Sequence, residues 1–450
     1  MSLTIVHKSD LAARKRNPRI ALVLAGGAVT GGAYKLGGLK ALDDFLVNRK
    51  TTDFDIYVGL SAGAFLAAPL AGGVTPPEML RSLEGVSEDF TELTALDFYR
   101  LNVGEFARKP VEFMVDLLTY APGVVYDFLV QTPKVLRALE EKLARARRQP
   151  SLGNLLDCAR PLLDAVGSSR EFPFPLAYLP SGIFDNSSLE RYLRDNIERR
   201  GMTNDFRVLY RVRGIELYIV AMNLDTAERV VFGHDEDTSV TISEAVQAST
   251  ALPGFYKPAR IKGVDYVDGG VRRTANLDVA IEHGADLVIC YNPFRPFSNR
   301  VVRRFIPEQN GYTIEGRPLA DQGMLTVLNQ VFRTLLHSRL QLGVRQYQDD
   351  PNFQGDIILL EPAETDQMFF NMAPLNLWAG RSAGAHGYLS VTETVESHYD
   401  LIRQILQSYG VQMTRKEVRE GLERLLTSDK TEAPDDVLLR DVPKRNLHVA

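Results

Sequence analysis

Residues 19–25 (RIALVLA) are apolar at nearly every position, the pattern of a strand covered on both faces of a parallel sheet. The run stops at Gly26-Gly27. From about Gly31 to Leu46 the period changes, and Tyr34, Leu39, Leu42 and Phe45 or Leu46 fall on one helical face. A second apolar strand, Asp55 to Leu60, leads directly into Ser61 and a helical segment from Ala62 to Leu70. This β-α-β-α opening predicts a mostly parallel sheet with right-handed crossovers. Between about 87 and 182 helical patterns dominate, at Pro110 to Leu118 and Lys134 to Arg148, with many aromatics and almost no strand signal; this predicts a helical insertion. Strands are then predicted at Arg207 to Arg211, Leu217 to Met222, Arg229 to Phe232, Val264 to Val267, Asp286 to Cys290 and Asp356 to Leu360. Thr241 and Glu244 spell a capping box at a helix start. Asn276 is the expected N-cap of a helix ending at Gly284. Further helices are predicted around Gln322 to Tyr347 and Ala383 to Tyr409. The expected organisation is an N-terminal arm (1–18), an α/β domain (19–290), a mostly helical extension packed on it (291–427) and a charged tail (428–450).

Of the 450 residues, 45% are apolar and 24% charged, an ordinary globular balance. A formal charge of −5 excludes the basic stripe of a dedicated nucleic-acid binder. Two cysteines, Cys158 and Cys290, exclude a disulfide framework and a Cys-rich zinc site. No apolar run reaches the ~18 residues of a membrane span. The first eighteen residues carry four cations with no apolar stretch after them, unlike a signal peptide. A cytoplasmic protein is expected, with its basic arm and exposed residues of the insertion available to a bilayer surface. The oligomeric state is not indicated.

The sharpest chemical signal is Gly59-Leu60-Ser61-Ala62-Gly63. Small residues two before and two after a serine permit a tight strand-to-helix turn with the hydroxyl at its apex. The following helix aims its positive end at the reacting centre. The alternative is a plain glycine-rich turn that packs helix on sheet. None of the seven histidines sits in a motif loop, and only one strand precedes the serine, so a Ser-His-Asp triad is not the expected arrangement. A carboxylate can take that place: Asp268 ends a short strand in Tyr266-Val267-Asp268-Gly269-Gly270, and partial burial would raise its pKa toward a working range. The alternative is an Asp-Gly turn in which the side chain bonds its own backbone. The loop Gly26-Gly27-Ala28-Val29-Thr30-Gly31-Gly32 offers consecutive N–H groups at a helix start, suited to an oxyanion. It lacks the Gly-Lys-Ser/Thr ending of a nucleotide loop and the G-x-G-x-x-G spacing.

Together these blocks resemble the patatin-like phospholipases, serine acyl hydrolases that use a Ser-Asp dyad. The glycine-rich loop (Leu24 to Leu42), the elbow (Gly59 to Gly63) and Asp268-Gly269-Gly270 match that family's motifs in order. So do Phe184 to Leu189, Asn223 to Thr226 and Glu244 to Phe255. The resemblance implies a three-layer α/β/α fold with a mostly parallel central sheet and a helical cap. It implies Ser61 as nucleophile and Asp268 as base, with oxyanion donors from Gly26, Gly27, Ala28, Val29, Thr30 and Gly31. Gly59, Gly63, Gly269 and Gly270 then serve as supports. The substrate implied is a lipid or fatty-acyl ester, with no metal or cofactor. Two positions depart from the family pattern: Ala28 stands where many members have a third glycine, and Thr30 where many have an arginine. A catalytically weak, lipid-binding member of the fold is the competing expectation.

Overall fold

The computed structural model describes residues 2–83, 85, 87, 90–148, 174–306 and 311–427. The charged tail, residues 149–173 of the insertion and Cys158 lie outside the described residues. Nine strands form the main sheet: β1 (Leu3–His7), β2 (Ile20–Leu24), β3 (Ile56–Leu60), β4 (Glu216–Asn223), β5 (Arg229–Phe232), β6 (Ala259–Ile261), β7 (Val264–Asp268), β8 (Leu287–Tyr291) and β9 (Asp356–Leu360). Their order is β1-β9-β8-β2-β3-β4-β7-β6, with β5 also on β4. The five central strands, β9-β8-β2-β3-β4, are parallel. The margins are antiparallel, with β1 on β9 at one side and β5, β6 and β7 at the other.

Alternate residues of the central strands feed two separate cores. Ile20, Leu22 and Leu24 join one with α1 (Ala28–Phe45), α2 (Ala62–Ala71) and the Gly380–Ser397 helix. Ala21, Val23, Ile56, Val58 and Leu60 join the other with the Leu277–Glu282 and Met324–Asp349 helices. Period-2 side chains buried on both faces explain the unbroken apolar runs of the sequence. The result is a three-layer α/β/α architecture.

Several elements differ from expectation for identifiable reasons. Residues 3–7, expected in a free arm, are an edge strand of the sheet, and β9 is supplied from beyond residue 290. The segment read as a strand at Arg207 to Arg211 is a helix, Phe206–Arg213: Asp205 caps it through the Val208 N–H, and Gly214 ends it in the left-handed region. Asn276 precedes its helix but makes no capping bond; its side-chain oxygen instead accepts from Arg229. The helix expected over Ala383 to Tyr409 breaks at His398 into Gly380–Ser397 and Tyr399–Ser408. The Thr241–Glu244 capping box is present.

The chain divides into two units, 1–100 with 184–450, and 101–183. The second unit holds one 46-residue helix, Val103–Arg148, where two shorter ones are expected from the pattern. The chain returns along it: Tyr178 donates to Asp116 at 2.7 Å, and Ser181 bonds Glu105.

Candidate active site

Ser61 and Asp268 are brought together by one strand. Leu60, at the end of β3, pairs with Val220 of β4; the next residue, Ala221, pairs with Asp268 at the end of β7. Because β3 runs parallel and β7 antiparallel to β4, the two ends approach from opposite directions. A Cβ on Gly269 would come within 2.9 Å of Leu60 and 2.8 Å of the Val220 carbonyl, so only glycine permits this approach. Ser249 completes the junction: its hydroxyl accepts the Ser61 N–H at 2.8 Å and donates to the Val220 carbonyl at 2.6 Å.

Ser61 adopts φ 54° and ψ −128°, a region strained for a side-chain-bearing residue by roughly 1–3 kcal/mol. The flanking glycines make the bend possible. A Cβ on Gly59 would lie 2.5 Å from the Ala64 Cα, and one on Gly63 would collide with the Leu24 carbonyl. The Ser61 hydroxyl lies close enough to the Asp268 carboxylate to favour its charged form, and the Gly270 N–H donates to Asp268 Oδ1 at 2.8 Å. Asp268 is 5% exposed. Burial pushes its pKa from the ordinary 3.8 up to about 6, against the nearby Ser61 hydroxyl, the Gly270 N–H and the charge of Lys35, which pull it down. Both expectations for Asp268 therefore coexist: it bonds its own turn and also meets the serine.

The glycine-rich loop is less uniform than its sequence. The helix α1 begins at Ala28, three residues earlier than predicted, and Gly31 donates its N–H to Gly27 within the first turn. The Thr30 N–H and hydroxyl both go to the Pro374 carbonyl, at 3.1 and 3.0 Å. Thr30 and Gly31 are thus corrected as oxyanion donors. Gly26, Gly27, Ala28 and Val29 have N–H groups without a hydrogen-bond partner among the described residues. Ala28 sits at φ 50°, where glycine would be at ease. Gly26 faces the serine: a Cβ there would be 3.4 Å from the Ser61 Cβ. Of the two arginines after the aspartate motif, Arg273 pairs with Asp278.

Ser61 also lines a cavity of about 530 Å³ whose walls are largely apolar, among them Phe65, Leu66, Phe90, Phe98, Leu193 and Leu377. That volume lies in the range of sites for small organic ligands, ~300–1,000 Å³. Phe90 and Phe98 come from the aromatic-rich stretch that opens the predicted insertion.

Two neighbours lie within the family-like blocks Leu24 to Leu42 and Glu244 to Phe255 without being among the predicted site residues. Ser249 is one. The other is Lys35, fully buried in α1, whose ammonium donates to the Ala25 carbonyl at the foot of the glycine loop. Burial lowers its pKa to about 7, while Cys290 and Asp268 pull it upward. Its complete burial is visible only in the packed fold. Among the described residues no cluster of His, Cys, Asp or Glu could hold a metal ion.

Solved structures similar to the chain include VipD from Legionella pneumophila, at 17% identity and a TM-score of 0.36, covering 88% of this chain and 70% of that one. ExoU from Pseudomonas aeruginosa, in complex with SpcU, matches at 15% identity and a TM-score of 0.28, covering 95% and 70%. Human GIVD cytosolic phospholipase A2, in complex with methyl gamma-linolenyl fluorophosphonate, matches at 11% and 0.31, covering 89% and 59%. None of these likenesses is close enough to transfer a residue. The family model for patatin-like phospholipases matches residues 22–281, more than half of the chain and the whole stretch that supplies Ser61 and Asp268. The chain belongs to the patatin-like phospholipase family.

Proposed function

We propose that the protein hydrolyses a lipid carboxylic ester, in the manner of a phospholipase A or lysophospholipase, with Ser61 as nucleophile and Asp268 as general base. The observation that carries this reading is the buried carboxylate beside a serine that opens on an apolar cavity. Ser61 Oγ attacks the acyl carbonyl carbon as its proton passes to Asp268. The oxyanion is held by N–H groups from Gly26 to Val29, preorganised at the start of α1. Collapse of the tetrahedral intermediate breaks the ester bond, and Asp268 returns the proton to the leaving alcohol. Water then attacks the acyl-enzyme, giving its proton to Asp268, and the released fatty acid leaves Ser61 protonated as before. The acyl chain occupies the cavity, where each buried methylene contributes about 0.8 kcal/mol.

A raised Asp268 pKa suits this role, since a base near the working pH both stays ionised and accepts a proton readily. The test is covalent labelling by an alkyl fluorophosphonate together with hydrolysis of p-nitrophenyl acyl esters. The wild type should label and turn over, while Ser61→Ala should do neither. Full activity in Ser61→Ala would end this reading.

A further inference from the structure

The Met324–Asp349 helix is turned inside out over its first three turns. Met324, Leu325, Leu328, Val331, Phe332 and Leu335 form one continuous arc, and all are exposed, Leu325 to 78%, Met324 to 74% and Phe332 to 61%. Gln330 and Arg333 of the same turns face the protein. Gln330 accepts the Phe297 N–H at 3.0 Å and donates to the Phe297 carbonyl at 2.8 Å. Arg333, 3% exposed, donates to the carbonyls of Pro293 and Arg295 and to Asn329. These bonds fix the helix rotation, so the outward apolar arc is a built feature. A contiguous arc of this kind marks an interaction surface.

We propose that this arc is where the protein lies on an anionic lipid surface, an inference that rests on the lipid-hydrolase reading above. The first support is charge. From Arg295 to Arg345 the sequence carries eight arginines against three carboxylates, in a chain whose net charge is −5. Arg300, Arg303, Arg339 and Arg345 are exposed. An exposed apolar helix face in a segment with an excess of exposed cations is the composition of a helix lying in the plane of a bilayer interface. A second copy of the chain meeting the same patch face to face would instead set arginine against arginine. The second support is position. Arg339 donates to the Val271 carbonyl at 2.7 Å, three residues after Asp268. Arg333 holds Pro293, whose ring lies 2.9 Å from where a Gly27 Cβ would stand. One helix thus backs both loops of the candidate site, and a surface that takes its outer face brings those loops to the interface. No helix among the described residues is long and apolar enough to cross a membrane, so the contact is one of lying on the surface.

The test is co-sedimentation of the Ser61→Ala protein with vesicles of phosphatidylserine and phosphatidylcholine in equal parts, and with phosphatidylcholine alone. The comparison is the same protein carrying Leu325→Glu, Leu328→Glu and Phe332→Glu, all at exposed positions. The parent should bind the anionic vesicles more strongly than the neutral ones, and the triple variant should lose roughly a hundredfold in partitioning. Introduced into the wild-type chain, the triple change should leave hydrolysis of a soluble short-chain p-nitrophenyl ester unaltered. Equal sedimentation of parent and triple variant would overturn the proposal. So would a parent dimer that the triple variant converts to monomer without any vesicle binding by the parent. Failure of the hydrolase reading shows separately, as a wild type that sediments on vesicles but does not cleave the soluble ester.

Discussion

Replacing Asp268 by Asn should abolish turnover and, at the same time, stabilise the fold in a strictly pH-dependent way. In the native protein the carboxyl holds its proton up to about pH 6, against 3.8 when free. A group whose folded pKa is raised contributes stability that is complete below the unfolded value and lost as pH rises through the folded one. At about 1.36 kcal/mol per pH unit, this difference amounts to about 3 kcal/mol forfeited by the wild type at pH 8. Asparagine keeps the shape and an acceptor for the Gly270 N–H but carries no charge to desolvate. The Lys35 amino group, lowered to about 7, is mostly neutral at pH 8 and leaves the comparison clean. For a chain of this length the expected gain in Tm is on the order of 3 °C at pH 8, shrinking to less than about 1 °C at pH 4. Differential scanning fluorimetry of the two proteins across this range reads it directly. An Asn variant no more stable than wild type at pH 8, or equally favoured at pH 4, would refute the claim that burial of this carboxylate dominates its energetics.

Further outcomes follow from the same groups. The acid limb of kcat/KM should bend near pH 6, because Asp268 must be ionised to accept the serine proton. Lys35→Met removes a charge that pulls this pKa down, so the limb should move to higher pH, as measured by initial rates on a soluble ester. Ala28→Gly relieves a left-handed backbone and should leave stability unchanged or raise it by up to about 1 kcal/mol in a denaturant titration. A loss of more than that would mean that the Ala28 methyl is itself needed for packing.

Much of the central sheet was legible because its strands are short, apolar on both faces and punctuated by glycine, as in β2 and β3. Arg207 to Arg211 reads as a strand because Val208, Leu209 and Tyr210 form a short apolar run, whereas the decisive marks of the Phe206–Arg213 helix are its caps, Asp205 and Gly214. β1 is not legible because five residues without a clear period acquire meaning only beside β9. In the candidate site, the motifs named Ser61 and Asp268, but their meeting depends on the register of β4, to which neither motif belongs. Thr30 and Gly31 could not be told from the other loop donors, because their partners are the Pro374 carbonyl and the first helical turn. The outward arc of the 324–349 helix is visible as an apolar stripe, but a stripe does not say which side is solvent.

The end-to-end meeting of β3 and β7 on β4 has a consequence for synthesis. The serine leaves the ribosome 207 positions ahead of the aspartate, and every intervening element can form before the latter emerges. On the proposed mechanism, a nascent or truncated chain lacking β7 leaves Ser61 with no proton acceptor. Docking of one short strand over a long loop would then be the step that arms the molecule.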